Sequence, residues 1–454
     1  MELVQLGPGV DSAPHESPVA DSRGAAPLTL DPADVDRLRR RAEALLPLGA
    51  LTAEEVAPVA AEREALAELA ERLADNYPFH SPRYAGQMLK PPHALAWAAY
   101  ATTMLLNPNN HALDGGPATA RLERECVDRL AQMLGIAEPH LGHLTSSGTI
   151  ANLEALWVAR ELRPDQAVVS GDNAHYTHER IGAALGLRHE TLPQDELGRL
   201  DLDALSERLA AGGVGTVVAT LGTTPLGAVD DVGAIADLCA EHGARLHVDA
   251  AYGGFFALVR DFPGLSRADS VVVDPHKHGL QPYGCGCVLF ADPGVGRLYA
   301  HDSPYTYFTS GDLHLGEISL ECSRAGAAAA ALWATLRAVP IGERLERSLE
   351  AARRLAADGR YDVVVAPELD IVCPFARRGR ASEITVASEA AFEGLAAEGW
   401  HLAKLRVDTG WLRRRHPAVE TDASTVTVLR SCLMKPEHLD VVDELADRIA
   451  EALG

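Results

Sequence analysis

Long apolar runs are missing from this chain: none approaches the roughly 20 residues that span a bilayer, and the N-terminus has no basic stretch followed by an apolar one. A membrane span and a secretory leader are thus not expected, and the expected location is the cytoplasm. Aromatic residues are scarce, at 5% against 47% hydrophobic residues overall. Ala, Leu and Val must then fill the helices and buried sheet of a globular protein. Positive charge is also short, since 41 Lys and Arg face 64 Asp and Glu for a net charge of -23. A polyanion is repelled unless one face gathers the basic residues. No such cluster appears: Arg39 to Arg41 and Arg413 to Arg415 are short runs with acids nearby and read as solvated faces. Nucleic acid is not an expected partner. Seven cysteines, an odd number without repeated CxxC spacing, exclude a disulfide framework and a zinc ribbon. Cys285 and Cys287 alternate with Gly284 and Gly286 at the entry to a strand and read as small buried thiols.

At 454 residues the chain exceeds one small core, and a large domain with a smaller satellite is expected. Residues 1–28, rich in Pro, Gly, Ser and Asp, read as a flexible arm. Residues 29–116 read as an N-terminal helical segment, with start signals at Asp31-Pro32 and Thr52 to Glu55. Within it, residues 107–116, with His111 and Asp114, read as pocket lining. Over residues 117–340 helix-length segments alternate with short Val-rich runs at 167–170, 216–220, 245–248, 270–273 and 287–290. That is the pattern of a mainly parallel sheet covered on both faces, which binds ligands at the carboxyl ends of its strands. A small-residue helix is expected over 324–337. Residues 341–454 read as a small α+β domain, with helices over 343–358, 388–398 and 437–453 and strands near Val363, Ile384, Leu402 and Thr425.

Four segments fall at strand ends or a helix start and describe one cofactor. Asp274-Pro-His-Lys277 follows the run 270–273, and an amine at a buried strand end is made available for a Schiff base by desolvation. Asp249 ends the run 245–248, where a carboxylate can keep a pyridine nitrogen protonated. Thr145-Ser-Ser-Gly-Thr-Ile-Ala-Asn152 opens a helix with donors free for a phosphate. His175, just after the run 167–170, is placed to stack on a ring. His175 and His178 find no third ligand at metal spacing, so no metal is expected. Gly212-Gly-Val-Gly215 precedes a strand instead of following one, the wrong order for a dinucleotide loop.

These segments resemble the pyridoxal-phosphate-dependent group II amino-acid decarboxylases. Gly142 to Trp157 and Leu320 to Ala327 are most similar to the bacterial tyrosine decarboxylases, and Val428 to Met434 carries a fainter likeness. The resemblance implies a fold-type-I α/β enzyme: a large domain with a mainly parallel seven-stranded sheet flanked by helices, and a small C-terminal α+β domain. It implies pyridoxal 5'-phosphate bound to Lys277, Asp249 on the pyridine nitrogen, and His175 and Ala251 on the two ring faces. Ser147, Gly148 and Thr149, helped by His276, would hold the phosphate. Thr223 would approach the cofactor's hydroxyl or the substrate carboxylate. A tyrosine of Ser303-Pro-Tyr-Thr-Tyr-Phe308 would protonate the substrate carbon, with Tyr305 preferred to Tyr307. Asp274 stands where several relatives have Asn, which argues against its touching the phosphate. His111 and Arg324 are the expected substrate contacts, Arg324 anchoring either the mobile loop or a carboxylate. The implied reaction is decarboxylation of an L-amino acid, such as tyrosine, in a homodimer with the active site between subunits. The alternatives are a carbon-carbon lyase and a decarboxylating aldehyde synthase.

Overall fold

The structure, a computed structural model, describes residues 60–300 and 318–454. The expected arm, the helix starts before residue 60, and Tyr305 and Tyr307 lie outside the described residues. Helices α1 (Ala60–Leu73), α2 (Ala94–Met104) and α3 (Pro117–Leu134) lead toward the sheet. Pro117 pre-sets the first turn of α3, and Gly135, at φ 73°, closes it in the left-handed conformation that glycine adopts without cost. Cys126, Val127, Leu130 and Leu134 give α3 one buried stripe at helical spacing.

The sheet region alternates strand and helix as far as its fifth strand. It runs β1 (Leu141–Thr145), α4 (Gly148–Leu162), β2 (Ala167–Gly171), α5 (Thr177–Leu185), β3 (His189–Leu192) and α6 (Leu202–Ala210). It continues β4 (Val214–Thr220), α7 (Val232–His242), β5 (Arg245–Asp249), β6 (Ser270–Val273) and β7 (Gly286–Phe290). The strands form one seven-stranded sheet in the order β1-β7-β6-β5-β4-β2-β3. β3, β2, β4, β5 and β6 pair in parallel, whereas β7 runs antiparallel to both β6 and β1. The two reversals cancel, so β1 points the same way as the parallel strands. Thr145, Asp249 and Val273 therefore end their strands at one edge of the sheet, and the segments after them converge there. Every residue of β2, β4, β6 and β7 is buried, as helices on both faces require.

The remaining helices are α8 (Gly326–Ala338), α9 (Ile341–Ala356), α10 (Ala381–Ala397), α11 (Thr409–Arg415) and α12 (His438–Leu453). Among them lie β8 (Asp362–Val363), β9 (Ile371–Val372), β10 (Pro374–Phe375), β11 (Ala403–Asp408) and β12 (Thr425–Cys432). β11, β12 and β9 form an antiparallel sheet, and Leu355, Trp400, Leu429, Val442, Leu445 and Ile449 fill the core beside it. The strand expected near Ile384 is instead part of α10. Ala381, Ile384, Ser388, Ala391 and Leu395 are its buried residues, and their helical spacing overrides the β preference of Ile384, Thr385 and Val386.

Candidate active site

β5 delivers Asp249 to the sheet edge with only 5% of its surface exposed. Its Oδ1 accepts from the Ala251 N–H at 3.0 Å. Its Oδ2 accepts from Asn152 Nδ2 at 3.3 Å and from His178 Nε2 at 3.0 Å. Burial pushes the carboxyl up, but the His178 hydrogen bond, Lys277 and the Ala251 N–H outweigh it and hold Asp249 well below the usual carboxylate range. It is an anion at neutral pH. His175, half-buried beside it, accepts at Nδ1 from the Thr177 N–H at 3.2 Å. Burial lowers its basicity, partly opposed by Asp249.

One strand over, the turn after β6 carries Asp274 to Lys277. Lys277 Nζ lies 3.1 Å from Asp274 Oδ2, with a fifth of the lysine side chain exposed (21%). His276 Nδ1 bonds the Cys285 carbonyl at 2.8 Å, and its Nε2 lies 3.5 Å from Asp274. Leu280, at φ 65°, bends the chain away in a conformation that side chains rarely adopt. Next to it, buried His278 Nε2 lies 3.2 Å from Asp370 Oδ2, while Tyr252 donates to Asp370 Oδ1 at 2.6 Å. Asp370, just before β9, thus ties together the turns that carry Asp249 and Lys277.

The third wall is the start of α4. The Ser147 hydroxyl accepts from Ile150 N–H as the helix cap, leaving the first N–H groups, of Gly148 and Thr149, without intrahelical acceptors. The approach is close on both sides. A Cβ on Gly148 would lie 2.5 Å from Asp274 Oδ2, and one on Gly286 of β7 would lie 2.6 Å from the Ser147 carbonyl carbon. A helix start with free N–H groups attracts anions. Thr223, fully buried in the turn after β4, accepts from the Ala228 N–H at Oγ1 at 3.1 Å.

The structure therefore brings Lys277, Asp249, His175, Ala251, His276 and the segment 147–149 to one sheet edge, with Thr223 at the neighbouring strand end. Arg324 lies beside the end of β1. Its guanidinium is committed to Glu123 Oε1 (2.5 Å) and to the Leu144 and Asn110 carbonyls, with 7% of the side chain exposed. His111 is half-buried in the neighbouring loop, and its Nδ1 has no partner among the described residues. The sequence reading missed His178 and Asp370 as site residues. His178 was weighed only as a metal partner of His175, yet it reaches Asp249 across 71 positions. Its place three residues after His175, at a helix start, was the only signal. Among the described residues no group of three metal-ligating side chains occurs.

These residues fit pyridoxal phosphate: a lysine and an anionic carboxylate stand at adjacent strand ends, beside a helix start open to an anion. Sheet order and site chemistry together define the class, a fold-type-I enzyme that works with this cofactor. Comparison with known proteins narrows it. Residues 77–376 match the pyridoxal-dependent decarboxylase conserved domain, and the chain belongs to that family. A probable L-aspartate decarboxylase of Halobacterium salinarum is 34% identical over 338 residues, covering 72% of this chain and 89% of that one. A probable L-tyrosine/L-aspartate decarboxylase of Methanothermobacter thermautotrophicus is 32% identical over 317 residues, covering 65% and 83%. The crystal structure of mouse CSAD superposes with a TM-score of 0.76 at 22% identity, covering 93% of this chain and 99% of that one. The chain is a pyridoxal-phosphate-dependent amino-acid decarboxylase.

Proposed function

We propose that the enzyme converts an aromatic L-amino acid such as tyrosine to its amine and carbon dioxide, with Lys277 holding the cofactor covalently. The carrying observation is the convergence of Lys277, anionic Asp249 and half-buried His175, after β6, β5 and β2 respectively. When bound, pyridoxal phosphate supplies the electron sink for the pair left as carbon dioxide departs. Asp249 keeps a proton on the ring nitrogen by opposite charge. His175 and Ala251 cover the two ring faces and shut out water. The Gly148 and Thr149 N–H groups, the Ser147 segment and His276 bind the phosphate. The Thr223 oxygen already accepts one hydrogen bond, so its proton is left to donate to the cofactor's hydroxyl or the substrate carboxylate. Tyr305 stays the proposed proton donor to the substrate carbon. Arg324, spent on Glu123 and two carbonyls, anchors the loop 107–116, and His111 is the proposed substrate contact.

Tyr283 favours an aromatic substrate: it is 58% exposed, and its ring lies 4.8 Å from that of His276, giving a face to stack on at the mouth of the site. L-Aspartate is the second reading, supported by the names of the relatives. Incubation with the common L-amino acids and mass spectrometry of the products separates the readings. Tyramine without aldehyde or peroxide supports the first and β-alanine the second. Aldehyde with peroxide, or carbon-carbon cleavage products, would favour the oxidative or lyase alternatives.

A second copy of the chain is the proposed partner, with the active site between subunits. Leu66, Leu69 and Leu73 run along α1 at 60, 50 and 56% exposure, and nothing among the described residues covers them. A 14-residue helix is marginal in water without a partner for its apolar stripe. Light scattering should give a dimer mass; a monomer at assay concentrations would oppose the proposal. No helix is long and apolar enough to cross a membrane among the described residues. Cytoplasmic residence belongs to the same proposal.

A further inference from the structure

The contacts that hold Asp249 are directional. Ser270 Oγ lies 2.8 Å from His247 Nδ1, His247 Nε2 lies 2.8 Å from Asn152 Oδ1, and Asn152 Nδ2 donates to Asp249 Oδ2. Because the Asn152 nitrogen faces the carboxylate, its oxygen must accept from His247 Nε2–H. His247 Nδ1 then accepts from the Ser270 hydroxyl. The whole chain donates toward Asp249 without carrying a positive charge. His178 approaches the same oxygen from the other side, at 3.0 Å. It has no exposed surface, and its Nδ1 has no partner among the described residues. An imidazolium would leave an N–H buried there without an acceptor. It would also stand in the first turn of α5, where the helix dipole disfavours a cation. A neutral ring protonated at Nε2 leaves a bare nitrogen in that spot instead. The titratable groups around it are His175 beside it, Asp249 and His247 of β5, His189 of β3, and Lys277.

We propose that His178, as a neutral donor through Nε2–H, is a positioning residue for Asp249: it fixes the carboxylate toward the cofactor's ring nitrogen while leaving its negative charge uncancelled. A cationic donor would neutralise the charge that keeps the ring nitrogen protonated, and an apolar residue would release one carboxylate oxygen. The inference rests on the reading that Asp249 faces that nitrogen.

The test reconstitutes the enzyme with cofactor labelled with 15N in the ring. In His178→Leu the ring-nitrogen signal should move toward that of unprotonated pyridine. Turnover kcat should fall about 10-fold, the scale of one hydrogen bond lost at the transition state, with KM within about twofold. His178→Gln, whose amide N–H replaces Nε2–H, should restore both. Asp249→Asn is the control and should move the signal further. If Asp249→Asn moves it and His178→Leu does not, the inference is overturned while the reading of Asp249 stands. If neither moves it, that reading falls and takes the inference with it. Should the Leu variant not fold, 15N-histidine spectra of the unmodified holoenzyme decide. Protonated Nε2 with bare Nδ1 at His178 supports the proposal, and an imidazolium or the opposite tautomer overturns it.

Discussion

Replacing Gly148 by Ala places one methyl group at the start of α4, where the account puts the phosphate. Its Cβ would fall 2.5 Å from Asp274 Oδ2 and 2.7 Å from Oδ1, whereas real contacts do not close below 3.0 Å. The carboxylate must therefore retreat by at least about 0.5 Å. Asp274 is 3% exposed and holds Lys277 at 3.1 Å, so its retreat disturbs a dense site and moves the lysine with it. Overpacking of this kind costs about 1–3 kcal/mol. At about 1.4 kcal/mol per factor of ten, the dissociation constant for pyridoxal phosphate should rise about 5- to 150-fold. Helix propensity offsets at most about 1 kcal/mol of this strain, since Ala favours the helix over Gly, so the cofactor-free variant should melt no higher than the parent. The assay strips the cofactor, titrates it back by absorbance, and records a thermal melt of both apo proteins. A dissociation constant within about twofold of the parent, with an unchanged melt, would refute the placement of the phosphate.

Asp370→Ala leaves the buried Tyr252 hydroxyl without its acceptor and removes the carboxylate that lies 3.2 Å from His278 Nε2. It should cost about 3–5 kcal/mol in urea unfolding at fixed cofactor concentration, and Asp370→Asn, which keeps an acceptor for Tyr252, should cost about half of that. A loss below about 1 kcal/mol in the Ala variant would show that this tie carries no weight. Burial, reinforced by Lys435, lowers His438 to about 4, below its unfolded value of about 6.5. The unfolded chain thus binds a proton that the folded chain refuses, so stability falls as pH drops from about 6.5 to about 4 and is level below. At pH 5 the share is roughly 2 kcal/mol relative to pH 8. His438→Gln should remove that share of the difference between urea midpoints at the two pH values, and an unchanged difference would contradict the assignment.

The elements legible from sequence were those with a local cause. β4, β6 and β7 are short Val-rich or apolar runs, Asp249 closes the run at β5, and Lys277 lies four residues past β6. β1 and β3 were harder to see. Gly142 and His143 interrupt β1, and the sequence of β3, His-Glu-Thr-Leu, has one aliphatic residue because it forms the partly exposed edge of the sheet. Ile384 misled because three β-branched residues in a row outweighed a helical period that emerges only over 17 residues. Within the site, residue types showed which groups bear the chemistry but not what each one touches. Arg324, expected to anchor the loop or a carboxylate, pairs with Glu123, a buried acid 201 positions away that leaves no mark near it. His178 and Asp370 went unseen for the same reason: their partners are tertiary.

The chemistry of the site depends on which amine carries the cofactor. Reducing the holoenzyme with borohydride, digesting it and sequencing the pyridoxyl-bearing peptide by tandem mass spectrometry reads this directly. The predicted result is a single modification on Lys277, lost together with the colour and the turnover in Lys277→Ala. Modification of another lysine, such as Lys90, which burial lowers to about 7, or full activity in the Lys277→Ala enzyme, would contradict it.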